Sequence, residues 1–238
     1  MKRTFGTIAL IFVLALSACG GSSKTPSATK TTSPTTGTDT SAADKAKAEK
    51  LVLIQADFPA GWTATPPSPD PKQDSQDKEL AACVGAVDPA VSESATVDGP
   101  DLNKDTAIVS TTASFVKTNA YAQTDLKALT SPKLESCIKD FGGQALKEGL
   151  EESGSKVTLK SVEVDPIPTK KYGDATLGRR ITATIVLEGQ ELAAYIDLVF
   201  ILKGRAEVSA FFAGIGQPFD AALERSLIDK LGAKLTAV

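Results

Sequence analysis

Residues 191–203 read ELAAYIDLVFILK, and the placement of this stretch decides the fold. Successive side chains of a strand point to opposite faces. Leu192, Ala194, Ile196, Leu198, Phe200 and Leu202 therefore share one face, while Val199 and Ile201 put apolar groups on the other. A strand that is apolar on both sides belongs in the middle of a sheet covered on both faces. Its flanks supply neighbours. ATLGRRITATIVLE (175–188) reaches it through Glu188-Gly189-Gln190, and AEVSAFFAG (206–214) follows Gly204. Both links are short and turn-like, so the three strands are antiparallel.

Further out, KVTLKSVEVDPI (156–167) carries Val157 and Leu159 on one phase but Val162 and Val164 on the other, which predicts a bulge near Lys160. TAIVSTTASFVK (106–117) alternates Val109, Thr111, Ala113 and Phe115 against Ser110, Thr112 and Ser114, the pattern of a half-buried strand. Helices are expected in 41–58, before a turn at Pro59 and Gly61, and in DKELAACVG (77–85). Two more are expected: NAYAQTDLKALTS (119–131) with Asn119 as cap, and SPKLESCIKDFGG (131–143), opened by Ser131-Pro132 and ended by its glycines. Leu134, Cys137, Ile138 and Phe141 share one face of the latter. QPFDAALERSLIDKLGAKL (217–235), with Pro218 in its first turn, repeats Leu223, Leu227, Leu231 and Leu235 every fourth residue and should lie across the sheet. The rest of 63–104 reads as loop. The fold class is α+β, an antiparallel sheet of about five strands with helices packed on its faces.

The N-terminus is of a different kind. Lys2 and Arg3 precede Ile8 to Leu16, a run without a polar residue that is too short to span a bilayer and of signal-peptide length. It stops at Leu16-Ser17-Ala18-Cys19-Gly20, which resembles the lipobox of bacterial lipoproteins. In that family the cysteine thiol takes a diacylglyceryl group and the chain is cut just before it. Cys19 is then the lipidation residue, and two acyl chains give stable anchoring where one does not. Residues 1–18 are a lipoprotein signal peptide, 19–41 a disordered Ser/Thr/Pro/Gly tether, and 42–238 a single globular extracytoplasmic domain. The expected location is the cell membrane, lipid-anchored on its extracytoplasmic side.

Of three cysteines, two remain. In an oxidising compartment Cys83 and Cys137 make a disulfide, the alternative being two separate buried thiols. The chain has no histidine. Imidazole-dependent nucleophile systems are therefore excluded, and zinc or copper sites are disfavoured. Two Ser-x-x-Lys strings, Ser114–Lys117 and Ser153–Lys156, lack the companion motifs of penicillin-binding proteins. Glycine-rich nucleotide motifs are missing, and Gly214-Ile215-Gly216 reads as a strand-to-helix connection. The formal charge of −3 becomes more negative once Lys2 and Arg3 are removed, which points away from nucleic acid.

Together the lipobox, the tether, ADFPAGW (56–62), the Cys83–Cys137 spacing, SFVKTNAYAQTDLKALTSPKLESCI (114–138) and AYIDLVFILKGRAEVSAFFAG (194–214) resemble the small secreted lipoproteins of actinobacteria. Their domain is similar to PsbP/Mog1-like α/β/α sandwiches and, more loosely, to the extracellular sensor domain of mycobacterial receptor kinases. Those sensors carry two disulfides where this chain makes one, and the resemblance supplies no catalytic residue.

Ligand-binding candidates are Trp62, Tyr195 and Asp197. Trp62, after Pro59-Ala60-Gly61, would stack on a sugar, close a pocket or simply pack at a domain edge. Asp197, mid-strand beside Tyr195 and Val199, would line a polar pocket, bond a neighbouring helix or lie exposed at the sheet edge. The expected function is a non-enzymatic binding or interaction module engaging a cell-envelope ligand or protein, without a cofactor. The alternative is a carrier of a lipid or other hydrophobic ligand. An apolar cavity of several hundred Å3 between sheet and helices would favour the carrier, a solid core the module. Paired inward carboxylates would bring an enzyme back into view.

Overall fold

The computed structural model describes residues 40–67, 72–152, 157–187 and 189–238. Cys19, the signal peptide and nearly all of the tether lie outside them, as does the Ser153–Lys156 string. In chain order the helices are α1 (Thr40–Ala48), α2 (Gln73–Val84), α3 (Pro89–Ser92), α4 (Asn119–Leu129), α5 (Leu134–Glu152) and α6 (Ala221–Thr236). The strands are β1 (Thr63–Thr65), β2 (Glu93–Asp98), β3 (Asp101–Lys104), β4 (Ala107–Val116), β5 (Val157–Ile167), β6 (Ala175–Leu187), β7 (Gln190–Lys203) and β8 (Ala206–Ile215). They form one antiparallel sheet in the order β1-β3-β4-β8-β7-β6-β5, with β2 also pairing β4.

β7, the stretch from which the reading started, lies between β6 and β8 with Val199 and Ile201 fully buried on one side and Ile196 on the other. Register shifts between Leu159 and Ser161, so Lys160 is the bulged residue of β5.

The sheet has eight strands rather than about five, and the additional three all come from the stretch read as loop. β2 and β3 lie end to end along one edge of β4, from Glu93↔Val116 to Lys104↔Ala107. The step between them is Gly99-Pro100. A Cβ on Gly99 would stand 2.8 Å from Thr111 Oγ1 and 3.2 Å from Leu53 O, so only glycine lets this edge close on β4. Glycine and proline there look like loop chemistry, yet Gly99 N still donates to Thr111 O at 2.7 Å.

Three further expectations change. α5 does not end at Gly142-Gly143 but runs to Glu152, with the two glycines turned to the sheet: Cβ atoms there would sit 3.5 Å from Ile181 and 3.6 Å from Val162. α4 is capped by Thr118, whose Oγ1 accepts from Tyr121 N, rather than by Asn119. α6 is capped by Asp220, accepting from Ala222 N at 3.0 Å and Leu223 N at 2.7 Å, with Pro218 ahead of the helix.

Two layers of helix cover the sheet. On one side α6 and the segment that follows α1 bury Leu227, Leu231 and Leu235, and Leu51 and Leu53, against Val109, Val199, Ile201 and Phe212. Each fully buried side chain of this size contributes ~1.5–3 kcal/mol. Lys234 fixes the seam by donating to Val52 O at 2.6 Å and to Asp57 Oδ2 at 2.7 Å. Arg205 forks onto both oxygens of Asp44 at 2.8 Å, tying α1 to the β7–β8 turn. On the other side α5 packs Leu134, Ile138 and Leu146 over Val162, Ile181, Ile196 and Phe211. α2 and α4 complete that layer.

Candidate functional site: a cavity under the bridged helices

α2, α4 and α5 do not close fully on the sheet. Between them and β4, β7 and β8 lies a cavity of about 360 Å3. Its floor is the inward phase of the sheet, Ile196, Leu198 and Phe200 of β7 and Ser209 and Phe211 of β8. Leu80, Ala81 and Val84 of α2 form one wall, and Ile138, Phe141 and Ala145 of α5 another. Cys83 and Cys137 are disulfide-bonded with Cα atoms 6.0 Å apart, so a covalent link holds the first wall to the second. Cys137 is buried and Cys83 half-buried.

Polar groups gather at the β2–β4 end. Glu207 of β8 lies opposite Ser114 of β4 and Leu202 of β7. Glu93 of β2 accepts from Thr96 Oγ1 and from the Ser114 hydroxyl. Asp125 of α4 accepts from the backbone N–H of Val87 and is hydrogen-bonded to Glu207. Two carboxyls can bond to each other only while one holds a proton. Glu207 is that one: burial first, then the charges of Asp125 and Glu93, push its carboxyl up to about 8. Burial likewise raises Glu93 and Asp125 above the ordinary carboxylate range. Among the described residues Glu207 Oε1 is buried without a hydrogen-bond partner. Asp77 of α2 adds a fourth carboxyl to the lining, and among the described residues no lysine or arginine contributes to it.

Sequence reasoning chose other residues. Trp62 is 6% exposed and packed at a tilt between Phe58, at 4.8 Å between centroids, and Phe219, at 5.8 Å. It also borders a second pocket of about 430 Å3, shared with Pro59, Lys104, Asp105 and Gln217. Asp197 is neither exposed nor at a sheet edge. It faces α6, 1% exposed, and takes Arg180 Nε on Oδ1 at 2.6 Å and Arg180 Nη2 on its other oxygen. Glu224 of α6 is hydrogen-bonded to it, and burial followed by the Asp197 charge pushes Glu224 up to about 7. The Arg180–Asp197 charges cancel and a protonated Glu224 adds none, which makes this a structural cluster. Tyr195 stands two residues along the same face of β7, half-buried. All three candidates are thus on the α1/α6 side, away from the cavity.

Ser114 lines the cavity, whereas Lys117 Nζ turns away to Val91 O at 2.6 Å, so the Ser114–Lys117 string makes no pair. Glu93, Asp125 and Glu207 were missed. One signal was available, since the alternation of AEVSAFFAG sets Glu207 and Ser209 in phase with Phe211, a carboxylate among inward positions.

Among the described residues no three His, Cys, Asp or Glu side chains are placed to hold a metal ion, and no helix is long and apolar enough to cross a membrane. No protein-family model and no curated protein matches the chain. Among solved structures the chain is similar to the extracellular domain of PknH from Mycobacterium tuberculosis, with a TM-score of 0.36 and 11% identity, over 79% of this chain and 96% of that one.

Proposed function

We propose that the protein is a carrier of a hydrophobic ligand, anchored outside the membrane by lipid on Cys19, with the ligand's apolar body in the cavity under α2, α4 and α5. The observation behind this reading is the cavity itself. Its volume of about 360 Å3 falls in the range of small-molecule sites, and its walls are mostly aliphatic and aromatic with few polar groups at one end. A solid layer there would have favoured an interaction module.

Native mass spectrometry of the mature protein extracted from its own membrane tests the reading. The expected result is a non-covalent adduct beyond the mass of the acylated chain, lost on denaturation and missing from Ala145→Phe, which fills the space. Protein without an adduct that also fails to take up added alkyl chains overturns it.

One observation favours a second reading. Two carboxyls sharing a proton, as Asp125 and Glu207 do, form the arrangement with which aspartic-type hydrolases activate water. Hydrolysis of a candidate substrate that is abolished by Asp125→Asn and by Glu207→Gln, with ligand retention unchanged, would replace the carrier.

A further inference from the structure

Resting on the carrier reading, we infer that the ligand bears a positively charged nitrogen on its apolar body, seated between Glu93, Asp125 and Glu207 with the chain extending along β7 toward α5. The polarity of the cavity is one-sided. Asp77 of α2, Glu93 of β2, Asp125 of α4 and Glu207 of β8 are its charged or titratable groups, and the α5 wall contributes Leu134, Ile138, Phe141, Gly142, Ala145 and Leu146, none of them charged.

An anionic head, such as that of a fatty acid or phospholipid, would enter a space whose charged groups are all carboxyls, with no cation among the described lining residues to offset its desolvation. A neutral alcohol would find hydrogen-bond partners in Ser92, Thr96 and Ser114 but would leave the carboxyls crowded against each other. A cation relieves that crowding. It meets Glu207 Oε1, which is buried with no hydrogen-bond partner among the described residues, and it favours ionisation of the Asp125–Glu207 pair. The rings of Phe141, Phe200 and Phe211 line the same space and would cover the ligand's apolar body.

A permanent cation that binds the ionised pair must expel the shared proton. Its affinity should therefore rise about tenfold per pH unit up to the Glu207 value of about 8 and level off above it. Isothermal titration of the delipidated mature protein with decyltrimethylammonium, decanol and decanoate between pH 6 and 9 makes the test. The expected order is cation tightest and decanoate weakest, the pH slope belonging to the cation, whose own charge does not titrate. Glu207→Gln, or Asp125→Asn if the first variant misfolds, should flatten that slope and weaken the cation while leaving decanol unchanged.

If decanol or decanoate binds as tightly as the cation, or if the cation shows no pH slope, the inference about the head falls and the carrier reading stands. If none of the three binds, both fall. The comparison of probes on the unmodified protein needs no variant to fold.

Discussion

On the α1/α6 side of the sheet, Phe58, Trp62, Phe219 and Phe212 follow one another ring to ring, with centroids 4.8, 5.8 and 5.3 Å apart. On the other side, Phe141, Phe200 and Phe211 face a space of about 360 Å3. Both sides bury carboxyls, again differently. Asp197 meets Arg180 and Asp44 meets Arg205, each by a two-pronged bond. Among the described residues Asp125, Glu207 and Glu93 meet one another, the Asp77 charge, and hydroxyls or backbone, with no cation. Where cations and rings fill the layer, the face is solid. Where cations are withheld and the rings leave a gap, a cavity remains, and a disulfide ties its walls together.

The largest expected effect comes from removing that disulfide. A Cys83→Ser/Cys137→Ser double variant should lose ~2–5 kcal/mol in chemical denaturation. The sequence alone suggests that the whole of 63–104 would loosen, but β2 and β3 are paired to β4. Hydrogen exchange should therefore rise in α2 and the 85–92 segment while β2, β3, α1 and α6 keep their protection. Equal loosening of α6 would erase the distinction between the faces.

Overpacking sharpens it at the next level. Ala113→Phe, at a fully buried position among Val109, Phe115 and Val208, should cost ~1–3 kcal/mol or more. Ala145→Phe, which points into the cavity, should change stability by less than ~1 kcal/mol, because the added ring fills existing space. Urea unfolding of the pair reads the difference, and equal losses would mean that the cavity face is as tight as the other.

Titration spreads its effect over several pH units, so that any one unit changes stability least. A carboxyl whose folded pKa lies above its unfolded value binds a proton in the native state that the unfolded chain has released. Stability then falls as pH rises between the two values, by at most ~1.4 kcal/mol per unit for one group. For Glu207 the window runs from 4.5 to about 8, and for Glu224 from 4.5 to about 7. Asp44 and Asp57, held low with Arg205 and Lys234 as their partners, act oppositely and only in acid, losing their contribution as pH drops below 3.8. The thermal midpoint of the ligand-free protein should thus decline from pH 5 to 8. Glu207→Gln should flatten the decline across the full window, and Glu224→Gln only its lower part. A midpoint rising over this range would contradict both burial arguments.

How much of this was legible depended on whether the signal was local. The two-faced apolar pattern of β7 and the phase change around Lys160 are properties of single strands, and the structure shows both. β1, β2 and β3 were illegible because short strands of three to six mostly polar residues are held by backbone pairing with β4 and β3, not by apolar alternation of their own. Gly142-Gly143 carried the mark of a helix end, and only the proximity of Ile181 and Val162 shows why a helix keeps glycine there. Asp197 drew notice as a charge in mid-strand, but its partner Arg180 is a register neighbour on β6, which sequence order does not reveal. Glu93, Asp125 and Glu207 stand far apart in the chain and meet only once β2, α4 and β8 have assembled.

The pairing of β4 with β8 bears on how the chain reaches this state. Ile108 to Phe115 find Ala213 to Ala206 roughly a hundred residues away, whereas β5 through β8 form a meander of adjacent hairpins. The C-terminal meander can assemble from near neighbours at little loop-closure entropy, and the N-terminal strands must wait for its β8 edge. Until they dock, that edge offers open N–H and C=O groups and the in-phase Val208, Ala210 and Phe212 to any other strand. Self-association during refolding should accordingly begin at β8, the last interior surface to be covered.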